Sequence, residues 1–282
     1  MRPRLLISDL DGTLLDERLQ VSQSDVAAVA LARESGIRVG VATGRMYRSA
    51  LPHALALGVD LPLICYQGAL VRELARGTSE PELNDAPVLQ RSEVPGELGL
   101  EVLEICRRQG YALNVYQDDH LYVEELNDDV RFYTGIAQVE AEVASAPSLE
   151  ERIRRGSTKL TVVAADRDRF HAALSELHRL IGDRAEVTRS LIGFCEITAL
   201  GVNKGFALRW LCRHLEVDPK DVVAVGDAPN DLPLLAASGT KVAVETAAEE
   251  VKAAADWLVP GPGQGGLAEV VRRLLLVPAN SH

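Results

Sequence analysis

Two carboxylates stand two positions apart near the start of the chain, in the motif Asp9-Leu10-Asp11-Gly12-Thr13. The motif follows the apolar run Leu5-Leu6-Ile7, which predicts a buried strand that ends just before the first carboxylate. Carboxylates are rarely buried unless another group compensates their charge, and a divalent cation together with a phosphate would do so here. A simple turn at the strand end remains an alternative for this motif alone, because Asp and Gly both favour turns.

Other polar residues stand at the ends of further predicted elements. Thr43-Gly44-Arg45 follows a second apolar run, Asp227 follows a third, and Asn230 and Asp231 come just beyond it. Lys204 opens a predicted helix. Because the carboxyl ends of parallel strands share one edge of a sheet, where open α/β folds bind ligands, these residues are expected to converge. A turn, a solvated helix end or a helix cap explains each residue alone, whereas their convergence indicates an active site.

Apolar runs alternate with helical patterns in both terminal parts of the chain. Several runs are apolar at successive positions, which is typical of strands covered on both faces of a parallel sheet. The alternation predicts a doubly wound, Rossmann-like α/β fold. The predicted strands are Leu5–Ser8, Ile37–Thr43, Leu63–Tyr66, Val222–Asp227, Lys241–Val244 and Trp257–Val259. The predicted helices are Ser22–Ser35, Lys204–Leu215, a short helix around Leu232–Leu235 capped by Asn230, and Leu267–Leu276. The first of them begins with Ser22-x-x-Asp25, an approximate capping box.

The middle of the chain has a different pattern, in which strands come in pairs. The sequence predicts two hairpins, with a strand over Lys159–Ala164 and a helix over Phe170–Leu180 between them. The hairpins pair Tyr111–Tyr116 with Leu121–Glu125, and Glu186–Arg189 with Phe194–Thr198 around the turn at residues 190–193. We therefore predict an α+β domain over residues 84–198, inserted into an α/β core formed by residues 1–83 and 199–282.

Composition excludes several classes of function. The chain has 282 residues, of which 47% are hydrophobic and 25% charged, as in a globular protein. Its net charge of −11 argues against nucleic-acid and membrane partners, which favour basic surfaces. The four cysteines show no zinc spacing and are expected to be reduced thiols of a cytoplasmic protein. No run is long enough for a signal peptide or a membrane span.

The motifs at residues 9–13, 43–45, 204 and 226–231 resemble, in order, the four motifs of the haloacid dehalogenase-like phosphohydrolases. The position and size of the inserted segment are similar to the cap of the Cof-type, or type IIB, branch. The chain departs from the usual pattern at Gln67, at Asn203 and at Glu245-Thr246, where Asn, Ser and an Asn-Ala pair are common. Gln67 and Thr246 are expected to bear on substrate contacts.

The resemblance implies a Mg²⁺-dependent phosphatase that acts on a small phosphorylated metabolite such as a sugar phosphate. Asp9 would attack phosphorus to form an aspartyl-phosphate, and Asp11 would act as general acid and then base. The implied metal ligands are the carboxylates of Asp9 and Asp227 and the backbone carbonyl of Asp11. Asp231 would either bind the metal directly or support the residues that do. The implied phosphate-binding groups are Thr43, the amide of Gly44, Lys204 and Asn230, and Lys204 also counts among the catalytic residues.

Two other functions stay open at this stage. Some capped relatives return the phosphoryl group to substrate, so a phosphomutase is one alternative. A protein that kept the fold but only binds a phospholigand is the other, although all the catalytic residue types are present. The inserted segment is expected to close over the site and choose the leaving group. The sequence gives neither the substrate nor the cap residues that select it, nor the oligomeric state.

Overall fold

The computed structural model describes residues 3–189 and 193–276. Residues 190–192, which belong to the turn of the second predicted hairpin, lie outside the described residues. The strands are β1 Leu5–Ser8, β2 Arg38–Val41, β3 Leu63–Cys65, β4 Leu70–Arg72, β5 Val88–Arg91, β6 Ala112–Gln117, β7 His120–Val123, β8 Glu142–Val143, β9 Lys159–Val163, β10 Ala185–Arg189, β11 Phe194–Ala199, β12 Val222–Gly226, β13 Thr240–Val244 and β14 Trp257–Val259.

In both terminal parts of the chain the α-helices alternate with the strands of the parallel sheet, as the doubly wound pattern predicts. They are α1 Gln23–Glu34, α2 Tyr47–Leu57, α3 Glu80–Asp85, α4 Gly96–Gln109, α5 Asp128–Ala137, α6 Leu149–Arg154, α7 Arg167–Ile181, α8 Lys204–His214, α9 Leu232–Ala236, α10 Glu249–Ala254 and α11 Gly266–Leu276. Within the described residues, no helix is long and apolar enough to cross a membrane.

The chain divides into two compact units. The core unit comprises residues 1–89 and 203–282, and the inserted unit comprises residues 90–202. The divisions therefore fall a few residues beyond the predicted boundaries at 83/84 and 198/199. Strand β5 contains the first of these two divisions.

The core unit is built on a parallel five-stranded sheet in the order β14-β13-β12-β1-β2. The first half of the fold runs outward from β1 and the second half runs outward from β12, so the winding reverses between these two strands. Leu5 pairs with Val222 and Ser8 with Val225, which brings the carboxyl ends of β1 and β12 side by side. Ligands bind at such reversal points in open α/β folds.

The two central strands of this sheet, β1 and β12, are buried on both faces, as their continuous apolar runs predict. Leu5, Leu6 and Ile7 are all buried, and so are the four residues Val222–Val225. Helix α1 packs against α11, and α8 packs against α9. Strand β3 lies beside β2 through a bridge between Ala42 and Ile64, and forms a small separate sheet with β4 and β5, which the sequence did not indicate.

The inserted unit is built on a six-stranded sheet in the order β10-β11-β9-β6-β7-β8. All of its pairs are antiparallel except the short parallel pair of β7 and β8. The first predicted hairpin is confirmed: β6 and β7 are joined at Asp118 and Asp119, both in the left-handed conformation. An antiparallel sheet inserted into a parallel α/β fold confirms the predicted fold class.

One predicted cap is wrong. Asn230 does not cap α9, because it lies within a 3₁₀ turn, Pro229–Asp231, that precedes the helix. Asp231 is the carboxylate that accepts the amides at the start of this turn. The predicted cap of α1 is confirmed, since the side chain of Ser22 accepts a hydrogen bond from the amide of Asp25 at 3.1 Å.

Candidate active site

Asp9 lies directly beyond β1, at the point where the winding of the sheet reverses. Its backbone amide donates to the carbonyl of Val225 at the end of β12, 3.0 Å away, so the ladder of the sheet fixes its position. Its side chain is buried. A carboxylate placed so rigidly in a buried position requires a charged partner.

Lys204 is that partner. It is the first residue of α8, and the helix begins there because the side chain of Asn203 accepts a hydrogen bond from the amide of Phe206. The Lys204 Nζ lies 2.6 Å from Asp9 Oδ1 and 2.6 Å from Asp231 Oδ1, and the residue is 1% exposed. Burial by itself would lower the pKa of Lys204, but the charges of Asp231 and Asp9 outweigh burial and hold this pKa above its ordinary value.

Asp231 is fully buried and both of its carboxylate oxygens are engaged. Oδ1 accepts from Lys204, whereas Oδ2 accepts from the backbone amides of Asp227 and Ala228 at 3.0 and 3.2 Å. Gly226 gives it room, because a Cβ on Gly226 would lie 2.5 Å from the Cβ of Asp231. Asp231 therefore orients Lys204 and the loop after β12.

Asp227 follows β12 and faces the motif that begins at Asp9. Its Oδ1 accepts a hydrogen bond from Thr13 Oγ1 at 2.9 Å. Gly12 has φ +76°, and a Cβ there would lie 2.3 Å from Asp227 Oδ2, so the approach requires glycine. Burial and the charge of Asp231 raise the pKa of Asp227 to about 7.

Asp9, Asp227 and Asp231 form an acidic cluster. One carboxylate oxygen from each lies within 4.8 Å of the others. Burial raises the pKa of Asp9 above its ordinary value, and although Lys204 opposes this shift, the charges of Asp231 and Asp227 add to it. Among the described residues no hydrogen bond reaches the second oxygen of Asp9 or of Asp227. The cluster thus has excess negative charge and two oxygen ligands suited to a hard divalent cation.

Asp11 points to a different neighbour from Asp9. Its two carboxylate oxygens accept from Arg45 Nη2 and Nε at 2.6 and 2.7 Å, in a bidentate pair. The Asp11 side chain is 40% exposed, whereas that of Arg45 is 10% exposed. The more accessible partner of the pair is therefore the carboxylate.

The loop after β2 is held by the loop after β3. The amide of Thr43 donates to the carbonyl of Ile64, and the amides of Tyr66 and Gln67 donate to the carbonyls of Arg45 and Thr43. The hydroxyl of the buried Thr43 accepts the Arg45 amide at 3.1 Å, which leaves its own proton available to a ligand. Gly44 lies between these two anchored residues. The sequence-predicted Thr43-Gly44 segment is thus fixed at the same sheet edge as Asp9.

Gln67 contacts a residue of the candidate site, whereas no such contact is observed for Thr246 among the described residues. Asn230 Nδ2 donates to Gln67 Oε1 at 3.2 Å, while Asn230 Oδ1 is buried without a hydrogen-bond partner among the described atoms. Tyr66 and Gln67 both have positive φ, of 52° and 56°. Such backbone strain in non-glycine residues is concentrated at functional sites. Thr246 is exposed and lies beside Gly261.

Sequence reasoning missed two residues of the site. Thr13 was quoted within the first motif and Arg45 within the second, but neither had a role. Their partners, Asp227 and Asp11, lie 214 and 34 residues away, and nothing local identifies them. The only available signal was their place beside carboxylates in short motifs.

The family model of the haloacid dehalogenase-like hydrolases matches residues 6–271. The chain belongs to the haloacid dehalogenase-like hydrolases. The resemblance that the four motifs indicated is thereby confirmed. The matched segment includes both the acidic cluster of the core unit and the whole of the inserted unit.

The relatives of this chain carry the names of several different enzymes. The phosphoglycolate phosphatase of Methanopyrus kandleri is 27% identical, with 96% of this chain and 97% of that protein covered. The HMP-PP phosphatase of Escherichia coli is 27% identical over 89% of this chain and 87% of that protein. The chloroplastic endoribonuclease YBEY of Arabidopsis thaliana is also 27% identical over 95% of this chain, but the chain spans only 46% of its length.

Among solved structures, the fold is shared with a subclass IIB sugar phosphatase of this superfamily, BT4131. The TM-score is 0.83 at 22% identity, and 97% of this chain and 100% of that chain are covered. A Thermotoga maritima protein, TM0651, has a TM-score of 0.80 at 29% identity, with 96% of this chain and 97% of that chain covered. The fold of a haloacid dehalogenase-like hydrolase thus extends over nearly the whole chain.

Proposed function

We propose that this chain is a Mg²⁺-dependent phosphatase that hydrolyses small phosphorylated metabolites through an aspartyl-phosphate. The observation that carries this proposal is the buried arrangement of Asp9, Lys204 and Asp231 beside Asp227. A nucleophilic carboxylate, an ammonium for the phosphoryl oxygens and spare carboxylate oxygens for a cation are the groups that phosphate-ester hydrolysis requires. The names of the phosphatase relatives agree with this chemistry.

Asp9 is the proposed nucleophile. One of its oxygens forms a bond to phosphorus as the ester P–O bond breaks, and the leaving alkoxide takes a proton from Asp11. In the second half Asp11 removes a proton from water, the water oxygen bonds to phosphorus, and the acyl-phosphate bond breaks to regenerate Asp9. Asp11 would exchange its pair with Arg45 for the leaving-group oxygen, which its exposed side chain permits.

The residues present fit a magnesium ion. Asp9 and Asp227 would hold it with their carboxylates and Asp11 with its backbone carbonyl, while Asp231 supports the site through Lys204 and the amides of the β12 loop. A bound magnesium ion supplies positive charge that offsets the charge of the phosphate ester. Two observations support this assignment: the lack of a side chain at Gly12, which leaves space beside Asp227 Oδ2, and the excess negative charge of the acidic cluster.

The proposed phosphate-binding groups are Lys204, the Thr43 hydroxyl, the Gly44 amide and Asn230. Lys204 already lies 2.6 Å from the nucleophile, so it can stabilise charge on the phosphoryl oxygens without reorganisation. None of these groups can distinguish one leaving group from another. We therefore assign that choice to the predicted cap over residues 84–198, closing over the site.

The substrate is proposed to be a small phosphomonoester such as a sugar phosphate. The four cysteines are buried and form no disulfide with one another, which supports a reducing compartment such as the cytoplasm.

The test compares hydrolysis of p-nitrophenyl phosphate with Mg²⁺ and with chelator, for the wild type and Asp9→Asn. Chelation should abolish turnover and Mg²⁺ should restore it, while Asp9→Asn should lose about 10³-fold or more because an amide cannot replace the nucleophile. Asp183→Asn, an exposed change in the inserted unit, is the matched control and should keep full activity. An Asp9→Asn variant that keeps a tenth of the activity would contradict the assignment. Dependence on a bisphosphate activator would instead indicate a phosphomutase.

A further inference from the structure

Two of the proposed phosphate-binding groups come from opposite halves of the core unit, and one residue contacts the loops that carry both. Thr43 lies just beyond β2 and Asn230 just beyond β12, so β1 separates their strands in the sheet. The backbone amide of Gln67 donates to the carbonyl of Thr43 at 3.1 Å, and Gln67 Oε1 accepts from Asn230 Nδ2 at 3.2 Å. Gln67 therefore links the loop of Thr43 to the turn of Asn230.

The backbone on which this side chain stands is fixed. Tyr66 and Gln67 have φ of 52° and 56°, and Gly68 has φ of 96°. A Cβ on Gly68 would lie 2.3 Å from the carbonyl oxygen of Asn203, so this left-handed turn lies directly against the residue before Lys204. Such strain persists only where the surrounding structure over-determines the conformation. Gln67 itself is 3% exposed, so its side chain projects from a rigid and buried position.

The amide of Asn230 has two kinds of atom, and only one kind suits a phosphate. Nδ2 carries two protons to donate, whereas Oδ1 can only accept. Phosphoryl oxygens are anionic acceptors, so they attract the first atom and repel the second. The hydrogen bond to Gln67 uses one proton of Nδ2 and leaves the other available to a ligand.

The contact with Gln67 is what selects the orientation of this amide. Among the described residues the side chain of Asn230 makes no other hydrogen bond, because its Oδ1 is buried without a partner. A half-turn of the amide would exchange two atoms of nearly equal size and bring Oδ1 to Gln67 Oε1. Two acceptors would then face each other without a proton between them. The observed orientation is therefore the one that Gln67 stabilises.

We propose that Gln67 is a positioning residue of the phosphate site, whose Oε1 holds the Asn230 amide with one Nδ2 proton ready for a phosphoryl oxygen. This inference rests on the proposed function, because it takes Asn230 as a phosphate-binding group. An amide held in advance does not have to be ordered when the ligand binds. The role belongs to the oxygen of Gln67 rather than to its bulk. A side chain of similar length that ends in an accepting oxygen should therefore perform it, and an apolar side chain of similar length should not.

The test measures the cost of Asn230→Ala in three forms of the full chain: the wild type, Gln67→Met and Gln67→Glu. The measured quantity is the inhibition constant of inorganic phosphate against p-nitrophenyl phosphate, with Mg²⁺ present. In the wild type, Asn230→Ala should raise this constant about tenfold, because a charge-assisted hydrogen bond is lost. In Gln67→Met it should raise the constant only about threefold, because an unheld Asn230 must be ordered on binding.

Gln67→Glu is the conservative replacement, because it keeps an accepting oxygen at a similar distance from the backbone. Its added charge should weaken phosphate binding, but equally with and without Asn230, so Asn230→Ala should again cost about tenfold. Gln109→Met is the matched control. The amide of Gln109 also donates a hydrogen bond of 3.2 Å, to Glu176, on an exposed part of the inserted unit. In that background too, Asn230→Ala should cost about tenfold.

Equal costs of Asn230→Ala in the wild type and in Gln67→Met would overturn the proposal. A lowered Tm of Gln67→Met together with those equal costs would assign Gln67 to the stability of the turn. If Gln67→Met does not fold, Gln67→Ser, which also removes the accepting oxygen from this position, is used in the same comparison.

The same variants separate this proposal from the proposed function. If the wild type hydrolyses no phosphomonoester, the proposed function fails, and the costs are then measured as dissociation constants of inorganic phosphate by calorimetry. A smaller cost in Gln67→Met than in the wild type would still support the role of Gln67. A wild type that binds no inorganic phosphate would reject that role as well.

Discussion

At the residue scale, one ammonium balances only part of the charge of the acidic cluster. Lys204 lies within 2.6 Å of two carboxylates, and Asp227 adds a third to the same region. Taking such charges out of water costs several kcal/mol per ion, which is recovered only with good geometry and full hydrogen bonding. The oxygens of Asp231 meet that condition, but the second oxygens of Asp9 and Asp227 do not. The unsatisfied part of the site is therefore where a cation would bind.

Gly12 controls access to that part of the site. We expect Gly12→Ala to weaken Mg²⁺ binding about tenfold or more, because its Cβ would overlap Asp227 Oδ2 at 2.3 Å and displace the carboxylate. The measurement is a calorimetric Mg²⁺ titration of the variant against the wild type. A positive φ also strains any residue with a side chain, by about 1–2 kcal/mol. A loss of stability in Gly12→Ala would therefore not by itself show that the metal site has changed.

Gly58→Ala separates the two effects. Gly58 ends α2 with φ +77°, almost the backbone conformation of Gly12, but no atom lies within 4 Å of its added Cβ. The control should therefore lose stability while keeping the Mg²⁺ affinity of the wild type. Equal Mg²⁺ affinities in the two variants would show that Gly12 does not position a metal ligand.

At the element scale, the site depends on how closely α8 approaches α9. Lys204 can reach Asp231 because Gly205, the next residue, lies against the start of α9. A Cβ on Gly205 would be 2.1 Å from the carbonyl oxygen of Pro233, a backbone atom that cannot move away cheaply. Gly205→Ala should lower the free energy of unfolding by about 1–3 kcal/mol, despite the better helix propensity of Ala. Denaturant unfolding followed by circular dichroism measures this change.

Gly135→Ala is the matched control, because Gly135 also lies within a helix, α5. Nothing lies within 4 Å of its added Cβ, so only helix propensity changes. This variant should be more stable than the wild type by about 0.5–1 kcal/mol. If Gly205→Ala were stabilised to the same extent, the close packing of α8 on α9 would not be what positions Lys204.

The elements of the core unit were largely predictable from sequence because their signals are local. Strand β1 and helix α1 follow from an apolar run and from a cap at Ser22, and the predicted bounds differ from the observed ones by a residue or two at most. Asn230 shows the limit. Its type and position suit a helix cap, but the turn Pro229–Asp231 makes Asp231 the residue before α9, and the side chain of Asp231 contacts Lys204, which is 27 residues away in the sequence.

The inserted unit was less predictable because its pairings lie across strands. Alternation in β6 and β9 indicates that Asn114 and Thr161 lie on the face opposite the apolar side chains of these strands, which for a half-buried sheet means towards water. Only the register of the sheet places them in one row with Glu196. Both residues are nevertheless buried, which depends on packing above the sheet, for which no local pattern exists.

At the scale of the whole molecule, the acidic cluster links stability to pH and to metal. Without metal, the folded chain raises the pKa of Asp227 to about 7 and raises that of Asp9 as well, whereas an unfolded Asp has a pKa of about 3.9. The folded state therefore binds protons more tightly than the unfolded state in this range. The contribution of these groups to stability is present below about pH 4 and is lost as the pH rises through about 7.

Magnesium should reverse this loss, because it binds the ionised carboxylates of the folded state only. At a Mg²⁺ concentration about 100 times Kd the gain is about 2.7 kcal/mol, and protonation of Asp227 reduces it. We expect Mg²⁺ to raise the Tm more at about pH 8 than at about pH 6, measured by differential scanning calorimetry with chelator as reference. Asp227→Asn removes the titrating group, so its metal-free Tm should depend less on pH and its Mg²⁺ response should be small at both values. A Mg²⁺-induced rise that is equal at the two pH values in the wild type would mean that the cluster does not bind the ion through Asp227.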